Sequence, residues 1–84
     1  MSAKDKLIDR FKAQPKDFSW QELVRLFGFF GFSMDNKGKT SGSRARFKND
    51  DCVFYIHKPH PSNIIKESAL AKVLSYLKNN GFID

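Results

Sequence analysis

The spacing of hydrophobic residues along the chain predicts three helices and three strands. Apolar positions recur every three or four residues in three segments, whereas apolar and polar positions alternate in the strand segments between Phe32 and His57. The order is helix, helix, three antiparallel strands, helix. We therefore predict an α+β fold in which helices pack on one face of a three-stranded antiparallel sheet.

The second helix has the most complete start signal. Ser19 and Glu22 have the spacing of a capping box, and Phe18 and Leu23 occupy the two positions of a hydrophobic staple. Gly31 is placed to end the helix in a left-handed turn. The pattern thus predicts a helix that begins after Ser19 and stops before Gly31.

The first helix is predicted over Ser2–Ala13 from its stripe of Leu7, Ile8 and Phe11. Pro15 ends it, because a proline disfavours helical geometry in the residue before it. The pattern thus predicts one short helix that ends before Pro15.

The last helix is predicted from about Lys66 to Asn80. Its apolar positions, including Leu70 and Leu77, share one side. Gly81 fits the position after the helix end, and Phe82 is placed to touch Leu77 in the contact that often accompanies such a cap. This helix therefore has an apolar face for the sheet.

Between the helices the pattern predicts a short strand at Phe32–Asp35, a turn-rich segment, a cationic strand at 43–48 and a strand at Cys52–His57. Asn49-Asp50-Asp51 is typical of a hairpin turn between the last two strands. The three strands can therefore pair as an antiparallel sheet.

The cationic strand alternates basic and small or apolar residues. Arg44, Arg46 and Lys48 fall on one side, and Ser43, Ala45 and Phe47 on the other. In the following strand Val53, Tyr55 and His57 share a side. We predict that Tyr55 and His57 lie on the cationic face, although a one-residue slip in register would reverse this.

Charge favours a polyanionic partner for this small chain. The 84 residues carry a net charge of +6, and five basic residues and no acidic one lie between Lys37 and Lys48. Charge alone does not separate nucleic acid from a membrane surface or an acidic protein. The single cysteine allows no internal disulfide and no apolar run is long enough to cross a membrane, so we expect a soluble cytoplasmic protein.

Two short motifs point to other chemistry only weakly. Gly38-Lys39-Thr40 matches the end of a phosphate-binding loop, but the earlier glycine is missing and a strand follows. His57 and His60 have the spacing His-x-x-His, yet a zinc site needs further ligands and Cys52 is the only thiol. We expect no metal and no small-molecule cofactor.

The order of several motifs resembles the HicA-type toxins of toxin–antitoxin systems, which share the fold of double-stranded-RNA-binding domains. The likeness covers roughly residues 18–82, so the resemblance implies an N-terminal helical extension over residues 1–17 and a main domain over 18–84. It rests on segments 18–23, 31–32, 42–43, 56–60 and 69–74, namely Phe-Ser-Trp-Gln-Glu-Leu, Gly-Phe, Gly-Ser, Ile-His-Lys-Pro-His and Ala-Leu-Ala-Lys-Val-Leu. The resemblance implies an endoribonuclease that acts on messenger RNA and is neutralised by a cognate antitoxin.

The resemblance also exposes a departure in the middle strand. In the family this strand typically opens Gly-Ser-His, and the histidine is regarded as catalytic; here the triplet is Gly42-Ser43-Arg44. A guanidinium stays protonated near neutral pH and does not act as the base. Arg44 is suited instead to clamp a phosphate or stabilise its developing charge. His57, on the predicted cationic face, is the candidate for the missing base.

The predicted RNA-binding residues combine the cationic turn and strand with nearby groups. Tyr55 suits stacking on an exposed base, and the start of the last helix in this fold touches backbone phosphates, which adds Lys66. The full set is Lys37, Lys39, Ser43, Arg44, Arg46, Lys48, Tyr55 and Lys66. Two alternatives stay open: a non-catalytic RNA-binding module of the same fold, and a protein-interaction domain for an acidic partner.

Overall fold

The described residues form three helices and one three-stranded antiparallel sheet, as the sequence pattern predicts. The computed structural model describes residues 3–35, 44–59 and 62–83, and only the backbone of Asp35 and Arg44. The elements in chain order are α1 (Ala3–Lys12), α2 (Trp20–Phe29), β1 (Ser33–Asp35), β2 (Arg44–Lys48), β3 (Val53–His57) and α3 (Glu67–Asn79). The strand order in the sheet is β1-β2-β3. This confirms the predicted α+β class.

The capping box at the start of α2 is formed as predicted. The Glu22 N–H donates to the Ser19 hydroxyl at 3.2 Å, and the Ser19 N–H donates to the Glu22 carboxylate at 3.0 Å. At the other end Gly31 has a φ of +85°, in the left-handed region that favours glycine. The Phe32 N–H then donates to the Phe27 carbonyl at 3.0 Å. Residues close to its two ends thus determine where α2 begins and where it ends.

Two predicted strands begin one residue later than expected, each for a local reason. Phe32 lies outside β1 because its N–H closes the end of α2. Cys52 lies outside β3 because its N–H donates to Asn49 Oδ1 at 2.7 Å, inside the hairpin turn. The Asp51 N–H donates to the same oxygen at 2.9 Å. The Asn49 side chain therefore holds the turn and fixes where β3 starts.

The core lies between one face of the sheet and the helices, and aromatic rings dominate it. The Phe47 ring stacks on the Phe27 ring, with centroids 4.2 Å apart and planes 12° from parallel. The Trp20 and Phe54 rings lie beside this pair, 5.7 Å from Phe47 and 5.9 Å from Phe27. On the α3 side, Tyr76 packs at 4.7 Å from Phe54. Both α2 and α3 therefore cover the same face of the sheet.

The first helix packs on this core through Phe11, which is fully buried, and Leu7. Arg10 joins α1 to the start of α2, since its Nε donates to Glu22 at 2.7 Å and its second guanidinium nitrogen lies 3.2 Å from an Asp17 carboxylate oxygen. The Arg10 hydrogen bond lowers the pKa of Glu22 below its ordinary value. The helix is thus anchored to the main domain by packing and by an ion-pair cluster.

The segment before α3 is held against the start of α2 by backbone hydrogen bonds. The Trp20 N–H donates to the Asn63 carbonyl at 2.7 Å, and the Ile65 N–H donates to the Phe18 carbonyl at 2.8 Å. Ile65 is buried as a result. These contacts fix where Lys66 and the first turn of α3 lie relative to the sheet.

Candidate nucleic-acid interface

The two long strands present one packed face and one open face. Ala45, Phe47 and Ile56 are buried on the side that contacts the helices. The side chains that alternate with these along β2 and β3 lie on the opposite side of the sheet, which none of the described helices covers. We call this side the open face; its described side chains are Arg46, Lys48, Val53, Tyr55 and His57.

The register between β2 and β3 places the predicted aromatic and histidine beside the basic residues. Arg46 pairs with Tyr55, and Lys48 pairs with Val53. The backbone of Arg44 pairs with that of His57. The prediction that Tyr55 and His57 share the face of the cationic strand is therefore confirmed.

The hairpin turn also determines which paired residues of β2 and β3 have the shorter Cα–Cα distance. The Asn49 N–H donates to the Cys52 carbonyl at 2.9 Å, which makes these two residues a hydrogen-bonded pair. Pairs alternate along an antiparallel ladder, so the pairs Arg46 with Tyr55 and Arg44 with His57 are of the closer kind, with Cα atoms about 4.5 Å apart. Neighbouring groups on the open face can therefore contact the same ligand group.

Among the described residues, Tyr55 is the most exposed of the large hydrophobic side chains, at 53%. A ring on an antiparallel sheet with one face toward solvent is a surface on which an unpaired base can stack. Val53, at 44% exposed, lies two residues away on the same face. The open face thus offers aromatic, apolar and cationic groups together.

His57 is exposed at the end of β3. Its position beside the backbone of Arg44 keeps it a candidate for proton transfer. Cys52 is half-buried at the opposite end of the strand, where its thiol contacts Asn80 Oδ1 at 3.7 Å. Within the described ranges, no three His, Cys, Asp or Glu side chains are grouped so as to hold a metal ion.

Lys66 lies apart from the open face, at the N-terminal cap of α3, where its side chain makes no capping hydrogen bond. It lines a groove that also includes Tyr55 and His57. The groove is therefore lined by three predicted residues, one from the cap of α3 and two from β3.

Several predicted residues cannot be placed on this surface. Lys37, Lys39 and Ser43 lie outside the described residues, as does His60. For Arg44 the backbone position beside His57 is described, as given above. Their roles stay predictions.

Lys58 is outside the predicted RNA-binding set, yet it lines the same groove as residues of that set. It follows β3 directly and lines the groove with Lys66 and Lys72. Its place immediately after His57 is visible in the sequence, but the groove depends on how α3 returns to the sheet. Lys72, on the same helix as Lys66, was also outside the predicted binding set.

Comparison with known protein families shows which family the chain belongs to. The family model of the HicA toxin of bacterial toxin–antitoxin systems matches residues 20–82, most of the chain. The protein belongs to the HicA toxin family. Comparisons with curated proteins and with solved structures found no match.

Membership in the HicA family identifies the chain as a toxin of a toxin–antitoxin system and implies a cognate antitoxin as partner. The match begins at Trp20, the first residue of α2, and therefore leaves α1 outside. No helix in the described part of this HicA-family chain is both long and apolar enough to cross a membrane.

Proposed function

We propose that this HicA-family protein binds and cleaves messenger RNA in the cytoplasm and that its cognate antitoxin blocks the open face. One observation carries the proposal: the register sets Arg46 beside Tyr55 and the Arg44 backbone beside His57 on one uncovered side of the sheet. Cationic side chains, an aromatic ring and an imidazole thus lie on one surface, and this arrangement supports the proposal.

Binding would divide between charge and stacking. Arg46 and Lys48 neutralise backbone phosphates, while Tyr55 stacks on an unpaired base. We expect further contacts to the RNA from Lys37, Lys39, Ser43 and Arg44, which precede these groups along the chain. We also expect a phosphate contact from Lys66 at the cap of α3. Affinity for single-stranded RNA should then fall with salt by about 0.7 in log–log slope for each phosphate neutralised.

Cleavage would use the 2′-hydroxyl of the RNA as nucleophile. The 2′-oxygen forms a bond to phosphorus while its proton passes to His57, and the bond from phosphorus to the 5′-oxygen breaks. The leaving 5′-oxygen takes a proton from water, which leaves a 2′,3′-cyclic phosphate and a 5′-hydroxyl end. Arg44 stabilises the negative charge that develops on the phosphate oxygens.

The test is cleavage of a labelled oligoribonucleotide and of messenger RNA by the purified protein. His57→Ala should lower the cleavage rate by about 10²-fold or more, the usual contribution of a general base. Its affinity for RNA should stay within about threefold of wild type, because the cations that bind phosphate are retained. Lys78→Ala, on the exposed side of α3, is the matched control and should leave both unchanged.

Unchanged cleavage by His57→Ala would remove His57 from the mechanism. Arg44→Ala and Arg44→His then separate the remaining cases, since activity created or strongly raised by Arg44→His would show that the native site lacks an efficient base. Arginine at this position favours a second candidate, a non-catalytic RNA-binding toxin, which predicts binding without cleavage. Neither binding nor cleavage would support a protein-interaction domain for an acidic partner.

A further inference from the structure

A groove runs along the edge of β3, between that strand and the start of α3. Its volume is about 630 Å³, within the range of ligand-binding sites. Because β3 is the last described strand of the sheet, its outer edge faces the groove rather than another of the described strands. The described lining consists of residues 54–59, 62, 64–66, 68, 69 and 72.

The charged groups of this groove all have one sign. Lys58, Lys66 and Lys72 line it and are exposed, and no aspartate or glutamate is among its described lining residues. Lys58 follows the strand, while Lys72 lies on α3 on the other side. Cations thus face the groove from both of its walls, which favours an anionic occupant.

The wall between the lysines is apolar. Ile64, 37% exposed, and the more buried Ile65 come from the segment held against α2, and Ala69 comes from α3. Pro59 continues this surface from the strand side. A site that combines an apolar wall with a cationic rim suits a ligand that is flat and apolar in one part and anionic in another.

The groove is continuous with the open face. Its lining includes Tyr55 and His57 from the open side of β3 and Phe54 and Ile56 from the packed side, so it opens where the two sides meet at the strand edge. An RNA strand crossing the open face at His57 would therefore reach the groove with its next nucleotide.

We propose that the groove binds one unpaired nucleotide of the RNA, directly beside the phosphate at His57. The base lies against Ile64 and Ala69, and Lys58 and Lys72 neutralise the phosphates that flank it. This inference rests on the proposed function, because it assumes that RNA crosses the open face. It adds a requirement for single-stranded RNA, since a paired base is not free to enter a groove.

The first test compares two double variants that remove the same charge. Lys58→Gln with Lys72→Gln removes the cations of the groove, whereas Lys12→Gln with Lys78→Gln removes exposed lysines from α1 and from the end of α3. Affinity for a single-stranded oligoribonucleotide is measured over a range of salt. The groove variant should show a log–log slope less negative by about 1.4, two phosphates at about 0.7 each. The control variant should keep the wild-type slope.

The second test examines the base. In an oligoribonucleotide scanned with single abasic positions, wild type should lose affinity at one position on one side of the cleavage site. Ile64→Ser should abolish that difference between abasic and normal RNA. An RNA duplex of the same sequence should compete poorly.

The outcomes separate the two proposals. If wild type binds RNA but both double variants share its slope, the groove inference fails while the proposed function stands. If wild type binds no RNA, the proposed function fails. Preferential binding of poly-glutamate over RNA, lost in the groove variant, would assign the groove to an acidic protein and overturn the inference.

Discussion

The two faces of the β2–β3 hairpin differ in what fixes their side chains. On the packed face, Phe47 and Ala45 are at most 5% exposed, and Phe47 stacks on Phe27. On the open face, one residue away along the same strands, Tyr55 and Val53 are about half exposed. The same backbone therefore carries a buried aromatic layer on one side and an exposed face on the other.

This contrast separates stability from function within a small chain. Register is set by the packed face, because a slip of one residue would move Phe47 and Ala45 to solvent. The open face inherits that register, which places Arg46 beside Tyr55. Substitutions on the packed face should accordingly lower stability, whereas removal of cations from the open face should lower RNA affinity.

The largest effect that tests this contrast is on the packed face. Phe47→Ala should lower the free energy of unfolding by about 3–5 kcal/mol, because it leaves a cavity beside Phe27 and Trp20. Denaturant unfolding followed by circular dichroism measures the change. A loss of this size can unfold a small domain, so Phe47→Leu, which retains much of the volume, should give a smaller loss.

Val53→Ala, on the opposite side of the hairpin, is the matched control. It should change the free energy of unfolding by less than about 1 kcal/mol, since Val53 is already exposed in the folded state. If Val53→Ala were as destabilising as Phe47→Leu, the two faces would not differ as we describe.

A smaller effect concerns how α1 is attached to the domain. Glu22→Gln keeps an acceptor for the capping box but removes the charge that faces Arg10. Both side chains remain partly exposed, so the loss should be about 0.5–1 kcal/mol near pH 7. Urea unfolding at a series of pH values measures it.

The pH dependence of that difference has a defined sign. The folded state lowers the pKa of Glu22, chiefly through the Arg10 hydrogen bond, so its carboxylate stabilises the fold above the unfolded value of about 4.3. Wild type should lose this advantage over Glu22→Gln as the pH falls below that value and through the lower folded-state pKa. A difference that stayed constant from pH 7 to pH 3 would contradict the ion pair as its cause.

Local signals in the sequence predicted most of the secondary structure. Ser19, Glu22 and Gly31 mark the ends of α2 because capping depends on residues within a few positions. The hairpin register also followed from local chemistry, since Asn49 sets the turn. The placement of Arg46 and Tyr55 on one face was therefore predictable from the alternation of side chains along the two strands and from the position of the hairpin turn between them.

Features that depend on distant packing could not be predicted in this way. Nothing near Arg10 in the sequence indicates that it reaches Glu22, twelve residues away. The groove likewise requires the segment at Asn63 to bond with Trp20 and α3 to return beside β3. Lys66 and Lys72 line the same groove as His57 only through this arrangement.

The central claim is that RNA binds across the open face, and one salt titration tests it most directly. The open-face variant Arg46→Gln with Lys48→Gln is compared with Lys6→Gln with Lys12→Gln, which removes the same charge from exposed positions on α1. We predict that the log–log salt slope for single-stranded RNA becomes less negative by about 1.4 in the open-face variant and is unchanged in the α1 variant. Equal slopes in both variants, with RNA binding retained, would contradict the claim.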